Sequence, residues 1–276
     1  MASFYPLQWI SERVVGDLGS VSSLTPAGAE PHDYELTPRD VATVADADAV
    51  VYLSDLQSSV DDAVAQRSAE GVFDAAGSAD LDLRYEGHEH GEEEHGEEEH
   101  GEGVVDPHFW LDPQRVADVA DALAASLAEV DPAGADTFAA NAASVRDDLE
   151  QLDQEFRDGL AECASRDLVT GHSAFGYLAR AYDLTQVAIN GLAPDEEPGP
   201  GALTSTADFV RDHGVRTIYY ETLVSPAVAE TVARETGAQT QLLDPVEGLT
   251  DESAGDDYLS VMRANLASLR SGQGCS

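Results

Sequence analysis

Between Ala133 and Cys163 an apolar residue recurs at every third or fourth position: Phe138, Ala142, Val145, Leu149, Leu152, Phe156 and Leu160. No Gly or Pro interrupts the stretch between Ala135 and Arg157. This is the pattern of one amphipathic helix. At about 1.5 Å per residue it reaches roughly 45 Å, longer than a small domain is wide. Such a rod suits a stiff connector between two halves of a chain, and the chain's 276 residues are enough for two domains. On both sides of it, short apolar runs alternate with helical stretches. Before it come strand candidates at Val21 to Leu24 and Ala49 to Leu53, a helix start at Thr37-Pro38-Arg39-Asp40, and helices at Ser58 to Arg67 and Gln114 to Val130. After it come strand candidates at Leu168 to Thr170, Gln186 to Ile189, Thr217 to Tyr220 and Gln241 to Leu243. Helices fall between these, at Ala174 to Tyr182, Ser205 to His213 and Pro226 to Thr236, and Tyr258 to Arg270 closes the series. Gly214 and Gly237 stand where helix C-caps belong. Alternation of this kind predicts an α/β fold: two lobes, each with a central, mostly parallel sheet flanked by helices. The expected division is 1–130 for the first lobe, 132–163 for the connector and 164–276 for the second lobe.

The formal charge is −40, and all 14 basic residues are Arg. Nucleic acid and anionic membrane surfaces are therefore excluded as partners. At about 1 M salt the screening length falls to about 3 Å, so self-repulsion is largely removed. The acidity is expected to reflect a source in concentrated salt rather than an activity. No apolar run is long enough to span a membrane, and no secretory signal is visible ahead of Phe4-Tyr5-Pro6-Leu7. Two cysteines, Cys163 and Cys275, are too few for a thiolate zinc site. They are compatible with one disulfide outside the cytosol, or with two unrelated thiols.

Residues 88–102 consist only of His, Glu and Gly, with His-Gly-Glu-Glu-Glu repeating at a period of five. With no apolar residue the segment cannot contribute to a core. His88, His90, His95 and His100 make it a weak, multi-site binder of divalent metal, and half of the chain's eight histidines lie within it. Three other histidines stand alone. His32 lies in the loop after Val21 to Leu24, His172 follows Leu168 to Thr170 and Gly171, and His108 sits in the Pro-bounded loop Asp106-Pro107-His108-Phe109-Trp110-Leu111-Asp112-Pro113. Glu221 and Asp244 also follow strand candidates. In open α/β sheets ligands bind beyond the carboxyl ends of strands. Three imidazoles and one carboxylate there form an N/O set that suits Zn²⁺.

Those segments, with Gly28-Ala29-Glu30-Pro31-His32-Asp33-Tyr34-Glu35, Gly171-His172-Ser173-Ala174-Phe175-Gly176-Tyr177-Leu178 and Leu243-Asp244-Pro245, resemble the signature blocks of zinc-specific solute-binding proteins of ABC importers. The resemblance covers nearly the whole chain in order. It implies two α/β lobes joined by a rigid helix, with Zn²⁺ in the cleft. It implies an extracytoplasmic, membrane-anchored receptor, expected as a monomer, that delivers zinc to an ABC permease. His32, His108 and His172 fall on the family's imidazole ligands, and Asp244 on a fourth ligand that water replaces in some members. Glu221 falls on an acidic position beside the site, and Asp33 is expected with it to hydrogen-bond the ligand histidines. The paired cysteines of relatives imply a Cys163–Cys275 disulfide. Manganese-type members replace the third histidine by a glutamate from the segment matching Ala188 to Pro194, which has no acid here, so zinc is expected over manganese. A zinc hydrolase, with Glu221 as base, is the alternative from another class, but no His-Glu-x-x-His helix is present. Metal buffering through the 88–102 loop alone is a third.

Overall fold

The computed structural model describes residues 1–85, 103–194 and 198–276. The His-rich segment 88–102 lies outside the described residues. In the first half, α1 (Tyr5–Val15) is followed by α2 (Pro38–Asp46), β1 (Val50–Tyr52), α3 (Ser58–Val64) and β2 (Val72–Asp74). The short strands β3 (Arg84–Tyr85) and β4 (Val104–Val105) pair antiparallel. Then come α4 (Pro113–Val130) and α5 (Ala135–Gly159). The second half runs β5 (Asp167–Thr170), α6 (Gly176–Ala181), β6 (Thr185–Ala188), α7 (Pro200–His213), β7 (Thr217–Tyr220), α8 (Ala227–Thr236), β8 (Gln239–Leu242) and α9 (Tyr258–Gly272).

The second half holds a four-stranded parallel sheet in the order β6-β5-β7-β8. Gly214 and Gly237 end α7 and α8 in the left-handed conformation, which glycine adopts without steric penalty. In the first half β1 and β2 are parallel. Residues 1–3 extend that ladder: Ser3 N–H donates to Val51 O, and Ala2 N–H donates to Ser22 O, 2.9 Å each. The expected strand at Val21 to Leu24 is thereby reduced to a single bridge at Ser23. Its polar Ser22 and Ser23 break the apolar run. The start of α2 follows its sequence signal: Thr37 and Asp40 form a reciprocal capping box and Pro38 takes the first position.

The long helix is shorter than its apolar stripe. It stops at Gly159, and Leu160 only caps it. A Cβ at Gly159 would stand 3.0 Å from Leu266 of α9, so the helices close on each other here. Along its length α5 packs on α4 and α1 and then on α9. Asn141 donates to Val14 O at 3.0 Å near one end, and Arg263 of α9 pairs with Glu155 at 2.8 Å near the other. The Phe138, Leu149, Leu152 and Phe156 side chains belong to one continuous core that also holds Phe4, Trp9, Trp110, Tyr177 and Tyr258. That core crosses from one half to the other. Beyond the end of α5, Cys163 is disulfide-bonded to Cys275, 112 residues later. Closing a loop of that length contributes on the order of 4–5 kcal/mol in the chain-entropy account. Among the described residues no helix is long and apolar enough to cross a membrane.

Candidate metal centre

Except for His32, the loops that carry the converging residues leave the carboxyl ends of strands, His108 standing three residues past β4. His172 lies two residues past β5, Glu221 directly after β7, and Glu247 five residues past β8. His172 is fully buried. Its backbone N–H donates to one Glu221 oxygen at 2.9 Å and its Nδ1 to the other at 2.5 Å. A carboxylate only accepts, so Nδ1 carries a hydrogen and Nε2 is the nitrogen left to face the pocket. Gly171 makes room for this: a Cβ there would meet a Glu221 oxygen at 2.6 Å.

The same device recurs at His108, also fully buried. Here Asp106 Oδ1 accepts both the His108 backbone N–H, at 3.0 Å, and Nδ1–H, at 2.7 Å. The first bond is the local turn in which an Asp side chain accepts from the backbone N–H two residues on. A Cβ at Gly176 would meet the other Asp106 oxygen at 2.7 Å. His32 is held differently. It sits on a turn closed by Tyr34 N–H to Pro31 O, 3.3 Å. Its side chain is 10% exposed, against 0% for the other two. Among the described residues no carboxylate bonds its Nδ1.

The three Nε2 atoms converge on Glu247, whose side chain is 1% exposed. Glu247 Oε1 lies 3.4 Å from His32 Nε2, 3.3 Å from His108 Nε2 and 3.4 Å from His172 Nε2, and His108 Nε2 is 3.3 Å from His32 Nε2. All four donor atoms lie within 4.8 Å of one another. Ligands at Zn–N distances of about 2.0–2.1 Å in a tetrahedron stand roughly 3.3–3.4 Å apart. Four of the six edges therefore already have that length. His172 Nε2 is buried and without a hydrogen-bond partner, which is the condition of a donor atom awaiting a cation.

The electrostatics agree. Burial alone would lower the His172 and His108 pKa values. Glu221 with Glu247, and Asp106 with Glu247, more than offset this and hold both above the ordinary imidazole value, His172 well above it. Burial opposes ionisation of Glu247, yet its contacts with His108 and His172 keep it well below the ordinary carboxylate value. The carboxylates that favour a proton on these rings would equally favour a cation between them.

Two expectations need correction. Asp244 is buried beside the site, but its carboxylate is not among the converging atoms. One oxygen accepts from Val246 N–H at 2.8 Å and the other from the Ser253 hydroxyl at 2.9 Å, and burial raises its pKa. Glu247, three residues on, occupies the fourth corner. Asp33 is exposed, and its backbone N–H donates to Glu30 at 3.3 Å; Asp106 fills the supporting role instead. The signal for Glu247 was a second acid in the same loop, Asp244-Pro245-Val246-Glu247. The signal for Asp106 was its place two residues before His108. Between Asp244 and Glu247, Val246 has φ of +60°. A left-handed β-branched residue costs about 1–3 kcal/mol and persists only where its surroundings hold it.

Two α/β halves sharing one core, with three imidazoles and a carboxylate converging in one buried group, make a two-lobed fold with a candidate site for a metal cation. Residues 1–272 match the family described as zinc-uptake complex component A, periplasmic, and the chain belongs to that family. It is 38% identical over 288 residues to the zinc-binding protein AdcA of Streptococcus pyogenes serotype M3, a match covering 98% of this chain and 55% of the relative. The chain thus spans about half the length of such curated relatives. Among solved structures it is similar to a mutant of the laminin-binding adhesin Lmb of Streptococcus agalactiae, with TM-score 0.86, 33% identity and coverage of 99% of this chain and 98% of that one. The Zn(II)-bound ZnuA-like domain of Streptococcus pneumoniae AdcA matches with TM-score 0.79, 35% identity and coverage of 99% and 97%.

Proposed function

We propose that this chain is an extracytoplasmic receptor that binds one Zn²⁺ between His32, His108, His172 and Glu247 and delivers it to the permease of an ABC importer. The observation that carries this reading is the set of four donor atoms spaced at tetrahedral zinc edges, one of them an orphaned buried nitrogen. The zinc-binding relatives and the family's description support the cargo and the permease partner. Three nitrogens and one carboxylate favour zinc over manganese, which prefers oxygen-rich shells. Four protein donors fill a tetrahedral shell and leave no position for an activated water, so the site binds rather than catalyses. Lobes at 1–130 and 164–276, joined by 132–163, a membrane anchor and a monomeric state complete the reading. The His88, His90, His95 and His100 segment supplies additional weak sites.

Calorimetric titration of the full chain tests this. Wild type takes up one tight Zn²⁺ plus weaker ones. Removing residues 88–102 abolishes only the weak ones, and His172→Ala only the tight one. Tight binding that vanishes with 88–102, or survives His172→Ala, overturns the assignment.

A further inference from the structure

We propose that Asp244 is a positioning residue: with Asn265 and Trp110 it clamps the left-handed turn at Val246 that aims Glu247 at the three imidazoles. The inference rests on the zinc reading above.

After β8, Leu243 still donates to Tyr220 O at 2.9 Å, as a continuation of the sheet. Within four residues the chain must turn so that the Glu247 carboxylate meets nitrogens projecting from both halves. The turn runs through Val246 at φ +60°, which a β-branched residue does not hold unaided. The restraints are all side chains. Asp244 Oδ1 accepts Val246 N–H, and Asp244 Oδ2 accepts the Ser253 hydroxyl. Asn265, on α9, accepts from Asp244 N–H at 2.9 Å and donates to Asp244 O at 2.7 Å. The Trp110 indole N–H donates to Pro245 O at 2.8 Å. Every main-chain polar group from the Asp244 N–H to the Val246 N–H is thereby occupied. Asp244, Asn265 and Trp110 are all buried, so water does not compete for these bonds. Trp110 also packs on His108, ring centroids 5.0 Å apart. One side chain therefore sets the spacing between a ligand of the first half and the turn that carries the ligand of the second.

Asp244 thus touches no metal, and its substitution acts through Glu247. The test uses the full chain, titrated with Zn²⁺ against a chelator and with Co²⁺ as a spectroscopic probe. Asp244→Ala is expected to weaken Zn²⁺ about 10–100-fold, the range for groups that orient metal ligands, and to dim the intense visible bands of tetrahedral Co²⁺. Asp244→Asn keeps an acceptor for Val246 N–H and is expected to lose less than about tenfold, with the tetrahedral bands intact. Because glycine adopts the left-handed turn freely, the Asp244→Ala loss shrinks when measured in a Val246→Gly background. Trp110→Phe keeps the buried ring but not the N–H, and covers the case in which Asp244→Ala does not fold; it is expected to weaken Zn²⁺ several-fold. Equal, large losses in Asp244→Asn and Asp244→Ala would mean that Asp244 is itself a ligand and overturn the inference. Unchanged affinity and Co²⁺ bands in Asp244→Ala and Trp110→Phe overturn it as well. Glu247→Gln separates the two readings. If it retains wild-type affinity, the zinc site is misassigned. If it weakens binding while Asp244→Ala and Trp110→Phe do not, only the clamp is wrong.

Discussion

At His108 and His172 a carboxylate takes both the backbone N–H and the Nδ1–H of the same residue, and a glycine leaves space for it. At His32 neither arrangement occurs, and the ring borders solvent. The first two imidazoles, with Glu247 on its clamped turn, form a preset face of three donors. Their tautomers and orientations are fixed before the ion arrives, so little ordering cost remains for binding. His32 stands on a small turn of the opposite wall and is the donor nearest to solvent. It is the donor placed to complete the set from the solvent side.

The comparison is sharpest in the ligand deletions. Structural zinc binding is worth about 10–16 kcal/mol, so one of four ligands carries roughly 3–4 kcal/mol. His172→Ala is expected to weaken Zn²⁺ on the order of 10³-fold, because the buried vacancy admits no easy replacement. His32→Ala is expected to lose only about 10–100-fold, since water reaches that corner from the solvent side. Equal losses, read by chelator competition, would break the distinction. Next in size are the supporting carboxylates. Glu221→Gln and Asp106→Asn are each expected to lower affinity about 10–100-fold while leaving a single site. Asp33→Asn is expected to leave affinity unchanged, because Asp33 is exposed and takes no part in the converging set.

The effect of pH is smaller and its sign follows from the shifts. His108 and His172 are raised above the ordinary 6.5 in the metal-free protein. Zinc must displace those protons, so affinity falls as pH drops, by about tenfold per unit for each proton released. The fall begins above 6.5. In the metal-free protein the same raised groups contribute stability that is complete below 6.5 and lost as pH rises through their folded values. Glu247, depressed from the ordinary 4.5, contributes stability above 4.5 that is lost as pH falls through its folded value. Chelator competition from about pH 6 to pH 9, paired with thermal unfolding of the metal-free chain, reads both trends. The smallest effect on affinity is expected from reducing the Cys163–Cys275 bond. Reduction lowers the unfolding midpoint, but the zinc constant stays put, because the bridge lies past the end of α5 and contacts no ligand loop.

The periodic features were legible in sequence. The stripes of α4 and α5, the capping box at Thr37 and the glycine caps of α7 and α8 depend on neighbours three or four positions away. So did the placing of three isolated histidines at loop ends. What sequence hid depends on distant partners. Residues 1–3 join the first-half ladder only through bridges from Ala2 to Ser23 and Val51, brought from elsewhere in the chain. The family resemblance points to Asp244 as the fourth donor, and its place directly after a strand run agrees with that. Only the left-handed Val246, whose conformation needs Asn265 and Trp110 from elsewhere in the chain, carries the loop on to Glu247. Asp33 is adjacent to His32 in sequence but exposed, whereas Glu221, 49 residues from His172, forms its closest bond.

The core that runs unbroken from Phe4 through Trp110 to Tyr258 sets a limit on how cargo can leave. Tyr258 of α9 packs on Trp9 of α1, ring centroids 4.7 Å apart, and its hydroxyl donates to Trp110 O at 2.6 Å. Prising the halves apart would uncover these rings, whereas the His32 turn already borders solvent. On the receptor reading proposed above, lifting that short turn is the cheaper way out for the ion.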